Sequence, residues 1–347
     1  MAALRGFQAM AGLLAVAGCL WAGVAPAERP RVLISTDLGG DPDDIQSLYR
    51  LLHYSDLLEI EGIVSSPGPG AENSAEKIRR WIREIRIEQM RANGYPELIT
   101  EERALSLVKQ GQVRPGAPSA GRRSAGSDWI IERARAADPS GQGRILWVLA
   151  WGSLTDVAQA LHDDPAIHSR IRIYSIGSSN TQADPASRDY VFEGLKDRWP
   201  RLWWIENGLL PRFRHDTFRG VYQGGEQSGE WGNQEFVRVN IRGHGPEAGD
   251  AFPLADWPKG TLKEGDSPSM LYLLSPLLAG VGDVDDPTAE SWGGRFRHYD
   301  RAANPNYYVD LEAPAAECQA TISRWRVDFL QDWKLRWDRY ATPREAP

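Results

Sequence analysis

An α/β fold, doubly wound with a mainly parallel sheet flanked by helices, is what this sequence predicts. Apolar, β-branched runs of strand length recur along the chain, and helical periodicity follows most of them. Asp37, Asp41, Asp43 and Asp44 crowd together directly after the first such run. In an open α/β sheet, ligands bind outside the carboxyl ends of the strands, so that cluster marks the expected site.

The elements follow in order. RVLIST (31–36) reads as a buried strand, and DDIQSLYRLLHYS as a helix opened by acidic residues that suit a helix N-terminus. LEIEGIVSS (58–66) returns as a strand, and a long helix is expected to end at Gly94. Residues 110–127 are rich in Gly, Pro, Ser and Arg, which predicts a mobile loop. A helix at DWIIERARAA, a strand at RILWVLAW (144–151) and a helix at LTDVAQALHDDP come next. RIRIYSIGS, RDYVFEGLKDRWP and RLWWIEN continue as strand, helix and strand. From about 212 to 262 the regularity fails, which predicts long loops with a hairpin. DSPSMLYLLSPLLAG restores a helix, and the tail reads as one long C-terminal amphipathic helix with Trp325, Phe329 and Trp333 on one side.

Composition narrows the function. The 347 residues are ample for a large core, and residues 28–347 are expected to form a single domain. A net charge of −7 argues against a nucleic-acid partner, which needs a basic footprint. Six His and two Cys, with no CxxC or HExxH, leave little for a zinc site. His215, His244 and His298 lie in polar loops without a partner at ligand spacing. Residues 1–27 resemble a secretory signal, with an apolar run and an APA cleavage pattern. A lipobox-like VAGC offers Cys19 as an alternative lipid anchor and membrane tether. The expected location is therefore periplasmic or extracellular, and Cys318 is read as core filler.

For one aspartate after a strand, helix capping would suffice. Several carboxylates at close quarters repel unless something neutralises them, and a hard divalent cation does so. Gly39 and Gly40 let the backbone turn tightly enough for the side chains to converge. The acidic cluster at Asp283, Asp285 and Asp286 reads instead as a solvated turn.

STDLGGDPDD resembles the N-terminal signature of the nucleoside hydrolases, WGSLTDVAQALHDDP their central segment, and EGDSPSMLYLL a late loop-to-helix segment. TDLGGDPDD, FRGVYQGG, KEGDSPSMLYL and SWGGRF are similar, more closely, to the nucleoside-hydrolase-like domain of bacterial cellulose-binding proteins. The resemblance implies Ca2+ held by Asp37, Asp44, Asp266 and the backbone carbonyl near Trp151, with Asp43 as general base on a water. It departs from the nucleoside hydrolases at three points. Ser35 stands where the signature has its first Asp, and two extra residues make Asp41 an alternative base. Gly265 replaces the His that assists the leaving base, with Lys263 and Glu264 beside it. The ribose-gripping segment is missing, leaving Asn180 and Asn73 in its place.

Glu264 joins the substrate-binding candidates, and SWGGRF adds Trp292, to stack on a sugar or base, and Arg295. A plain turn with a structural Arg–carboxylate pair is the competing reading of that loop. The resulting expectation is a calcium-dependent hydrolase of N-glycosidic or related glycosyl bonds, acting on a small glycoside or carbohydrate, with a homo-oligomer left open. The rivals are a non-catalytic carbohydrate-binding or envelope protein that keeps the metal, and an O-glycosidase using two carboxylates ~5–9 Å apart.

Overall fold

The computed structural model describes residues 29–341 apart from 40, 70–72, 139, 142, 210–215 and 256–261. The expectations for the leader, Cys19, Gly40 and His215 lie outside the described residues.

Eight strands form one sheet: β1 (Arg31–Thr36), β2 (Glu59–Ser65), β3 (Val108–Gln110), β4 (Leu146–Ala150), β5 (Ile171–Ile176), β6 (Trp203–Asn207), β7 (Phe296–His298) and β8 (Tyr307–Asp310). Their order is β3-β2-β1-β4-β5-β6-β8-β7. Every neighbouring pair is parallel except β7 with β8. From β1 the chain first winds outward through β2 and β3, then returns to the other side of β1 with β4. The switch point therefore lies between β1 and β4, where two carboxyl ends diverge and leave a crevice.

Alternation along the buried strands separates two cores. Val32, Ile34, Trp147 and Leu149 pack in one cluster with Leu48, Leu51 and Leu52 of α1 (Asp43–His53). Leu33, Leu146 and Val148 pack in the other with Val157 and Leu161 of α2 (Thr155–Asp163). With apolar residues facing both ways, these strands carry no polar face. That is the signature of a sheet covered by helices on both sides.

Four expectations need correction. The helix expected to run to Gly94 breaks into Ala75–Glu84 and Ile87–Ala92, because Arg86 between them adopts a left-handed φ of 55°. The break lets Ile85 and Ile87 bury together. The 110–127 segment is tied to the body: the Gln112 amide and the Ser124 hydroxyl donate to Asp156, and the Gly116 amide donates to Asp184. The 217–251 stretch holds short helical turns, with no hairpin among its described residues. The C-terminal helical tail is two helices, Ala315–Ser323 and Arg326–Trp337. Phe329 and Trp333 are fully buried, as their spacing suggests. The antiparallel pair β7–β8, at the end of the SWGGRF segment, is an addition that short strands do not announce.

Candidate active site

A cavity of about 460 Å³ opens at the switch point. Its acidic side is made by Asp37, Asp41, Asp43, Asp44 and Asp266. Asp37 follows β1 directly, and Asp43 and Asp44 begin α1. Trp151 follows β4, Asn180 follows β5, and Asp266 precedes α3 (Pro268–Ala279). Four segments distant in sequence thus meet at one end of the sheet.

Local packing leaves these carboxylates little freedom. Asp37 is wedged between two glycines: a Cβ added at Gly68 would lie 1.4 Å from its Oδ2, and one at Gly152 would lie 3.0 Å from its Cβ. The Trp151 and Gly152 amides both donate to the Ser35 carbonyl, at 2.7 and 3.1 Å, which draws the end of β4 against β1. Helix capping does not account for the aspartates. Pro42 caps α1 without a side-chain hydrogen bond, while Asp44 turns back to accept from the Thr36 hydroxyl.

The turn before α3 is fixed by α1. Gln46 Oε1 accepts from the Lys263 and Glu264 amides, at 2.6 and 3.0 Å. Arg50 pairs with Glu264 through two hydrogen bonds of 2.6 and 2.8 Å, with both side chains fully buried. Glu264 holds a left-handed φ of 45°, a strain these contacts offset. Trp151 Nε1 donates to the Ser269 hydroxyl at 2.8 Å, and that hydroxyl donates to the Asp266 carbonyl at 2.7 Å. Asp266 is thereby set beside Asp43 and Asp44.

One carboxylate oxygen from each of Asp43, Asp44 and Asp266 lies within 4.8 Å of the others. The Asp266 Oδ2 atom is buried and has no hydrogen-bond partner among the described residues. Burial, and then repulsion from Asp43, pushes Asp37 up to about 7. Burial lifts Asp43 to about 6 against the pull of Lys263. Burial, followed by neighbouring carboxylates, raises Asp44 and Asp266 well above the carboxylate range. A set of buried oxygens whose ionisation is disfavoured by burial and then by neighbouring carboxylates, one of them unpartnered, suits a hard divalent cation. The residues present therefore fit a metal. The trio contains Asp43, Asp44 and Asp266, while Asp37, expected as a ligand, lines the same cavity. The Trp151 carbonyl accepts from Asn180 Nδ2 at 2.5 Å, and a carbonyl keeps a second lone pair.

The remaining expectations divide. Asn180 lines the cavity; Asn73, Glu264, Trp292 and Arg295 are not among its described lining residues. Asn73 donates to the Gln112 carbonyl, and Glu264 is committed to Arg50 and to the Ser267 hydroxyl at 2.8 Å. Trp292 is buried in the core, which leaves no face for stacking. Arg295 donates to the Thr288 carbonyl at 3.0 Å and sits 3.8 Å from Glu290, the plain-turn alternative. Asp283 and Asp286 accept amides of their own turn, from Asp285 at 2.8 Å and Thr288 at 2.9 Å. Asp41 lines the cavity and pairs with Lys263, whose Nζ also lies 3.8 Å from Asp43 Oδ2. Against the lowering effect of burial, Asp43 and Asp41 hold the Lys263 ammonium above its ordinary value. Phe218, Arg219 and Tyr222 also line the wall, and the sequence does not mark them one by one. The FRGVYQGG motif that contains them is the available signal.

Sheet order, switch-point cavity and acidic floor define a nucleoside-hydrolase-like protein. The chain belongs to the family described as cellulose-binding Sde182, nucleoside hydrolase-like domain, whose model matches residues 31–296. Its fold is similar to that of a nucleoside hydrolase-related hypothetical protein from Saccharophagus degradans that is associated with carbohydrate metabolism. That similarity has a TM-score of 0.67 and 24% identity, over 90% of this chain and 72% of the other. An inosine-uridine preferring nucleoside hydrolase from Bacillus anthracis aligns with a TM-score of 0.50 and 14% identity, over 90% of this chain and 100% of the other. No curated protein sequence matches the chain.

Proposed function

We propose that this protein is a calcium-dependent hydrolase of N-glycosidic or related glycosyl bonds. The observation that carries the reading is the Asp43–Asp44–Asp266 oxygen cluster on the floor of an open cavity, with the Asp266 Oδ2 atom buried and unpartnered. Asp44 and Asp266 would hold Ca2+, with Asp37 and the Trp151 carbonyl beside them. The ion would supply acidification and a fixed position for the attacking water. Asp43 takes the proton as that water attacks an anomeric carbon. The surrounding carboxylates favour the positive charge of an oxocarbenium-like transition state. The family description and the carbohydrate association of the Saccharophagus degradans protein support a small glycoside or carbohydrate ligand. Export, with Cys19 as an optional lipid anchor, belongs to the same reading.

A second reading, a binding protein that keeps the metal without turnover, is favoured by one position. A Cβ at Gly265 would meet Asp43 Oδ2 at 2.7 Å, so a leaving-group histidine there would crowd the base. The test is a calorimetric calcium titration of wild type against Asp44→Ala, followed by a screen of nucleosides and other glycosides. Absence of calcium binding up to low millimolar removes the central claim. Binding without turnover on any glycoside selects the second reading.

A further inference from the structure

The acidic cavity also holds two cations, Lys263 and Arg219. Arg219 leans on Asp216, with Nε 2.9 Å from its Oδ2. Lys263 is the more constrained by its backbone. Its amide is bound by Gln46, and the next residue is clamped by Arg50. The Lys263 side chain is only 15% exposed, yet its partner Asp41 is 44% exposed. A fixed, sheltered ammonium therefore pairs with a carboxylate that solvent can readily take back. Asp41 lies in the stretch where this chain has two more residues than the nucleoside-hydrolase signature.

A cation beside a general base opposes it, because it lowers the carboxylate's affinity for a proton. Asp41 is the partner that keeps Lys263 engaged when the cavity holds no ligand. A carboxylate or phosphate on a ligand is a chemically equivalent partner, and charge-assisted bonds to either are strong. Exchange returns a half-exposed Asp41 to water, which solvates the freed carboxylate while the incoming anion takes over the sheltered ammonium. We infer that Lys263 anchors a negatively charged substituent of the ligand, and that Asp41 occupies the anchor until the ligand displaces it. The ligand class is then an acidic sugar derivative, either a uronic acid or a phosphorylated sugar. Arg219 contributes a second positive charge to the same cavity. The inference rests on the proposed function only in taking this cavity as the ligand site.

The test compares D-glucuronate with D-glucose, and ribose 5-phosphate with ribose, by calorimetry on the full chain with calcium present. The acidic member of at least one pair is expected to bind ten-fold or more tightly than its neutral counterpart. A preference in only one pair identifies the carboxylate or the phosphate as the natural group. Lys263→Gln should abolish the preference, and Lys263→Arg should retain it. Asp41→Asn should tighten the acidic ligand several-fold, because the internal competitor is gone. Melting curves on each variant verify folding. Equal affinities within both pairs, no binding of any of the four, or weaker acidic-ligand binding in Asp41→Asn would overturn the inference. Calcium binding is recorded separately in the same preparations. Loss of the metal claim and loss of the anion claim are therefore read as different results.

Discussion

Arg50 and Glu264, each fully buried, grip one another through two hydrogen bonds, and that pair joins the first helix to the turn carrying Lys263 and Asp266. The Arg50 guanidinium also lies 4.0 Å from the Trp333 ring centroid, so the C-terminal helix backs the same joint. Breaking a buried pair by removing one partner strands the other charge and costs about 3–5 kcal/mol. Glu264→Gln is therefore expected to lower the denaturant midpoint markedly and to weaken calcium binding, because the turn loses its clamp. Urea unfolding and calorimetry on the same sample check both. A weakened clamp with intact calcium affinity would show that Asp266 is set by α3 alone.

Legibility in the sequence depends on what each residue does. β1, β4 and β5 are readable because continuous apolar runs of that length fit a buried strand and little else. Asp37, Asp43 and Asp44 are readable because charge directly after a buried strand is costly unless used. Glu264 misleads for a physical reason: proximity in sequence to Asp266 says nothing about which way a side chain turns. Its true partner lies on α1, and a contact across that separation leaves no local pattern. Trp292 misleads similarly, since an aromatic in a glycine-rich loop suits a core anchor as well as a stacking platform. Phe218, Arg219 and Tyr222 sit in a stretch without periodicity, where only the motif itself points to them.

The second prediction concerns pH. Burial, and then repulsion from Asp43, pushes Asp37 up to about 7 from an ordinary carboxylate value of 3.8. A raised folded pKa means that the native state binds more protons between those values. The corresponding stability is fully present below about pH 4 and is lost as pH rises through about 7. His53 acts in the opposite sense: burial, followed by nearby arginines, holds its pKa well below 6.5, so stability falls as pH drops below that value. Comparison with Asp37→Asn cancels the histidine. In metal-free buffer the variant should be more stable than wild type at pH 8, and the gap should shrink steadily toward pH 4. A gap independent of pH would mean that Asp37 is ionised throughout.

The third prediction uses the glycine after β2. A methyl group at Gly68 would overlap Asp37 Oδ2, at 1.4 Å, so the carboxylate must swing away or the loop must shift. Gly68→Ala should weaken calcium binding ten-fold or more while leaving the circular dichroism spectrum intact. Saturating calcium stabilises a protein that binds it only when folded, by about 2.7 kcal/mol at one hundred times Kd. The calcium-dependent rise in melting temperature should accordingly be smaller in the variant at equal calcium. An unchanged rise would place Asp37 outside the metal's influence.

The last prediction separates base from ligand. Asp43 contributes an oxygen to the three-carboxylate cluster and also faces Lys263, so it could serve the ion, the water or both. General-base catalysis is worth roughly 10²–10⁴-fold. If proton removal is its task, Asp43→Asn should cut turnover of any glycoside found in the screen by that factor while calcium affinity changes little. If it is chiefly a metal ligand, calcium binding falls together with turnover. Asp41→Asn supplies the contrast, because the insertion also places that carboxylate on the cavity wall. It should cut turnover of a neutral glycoside by less than Asp43→Asn does, because it frees Lys263 to oppose the base without removing the base. A loss in Asp41→Asn matching that in Asp43→Asn would transfer the base role to Asp41, and initial-rate kinetics on the two variants decides the assignment.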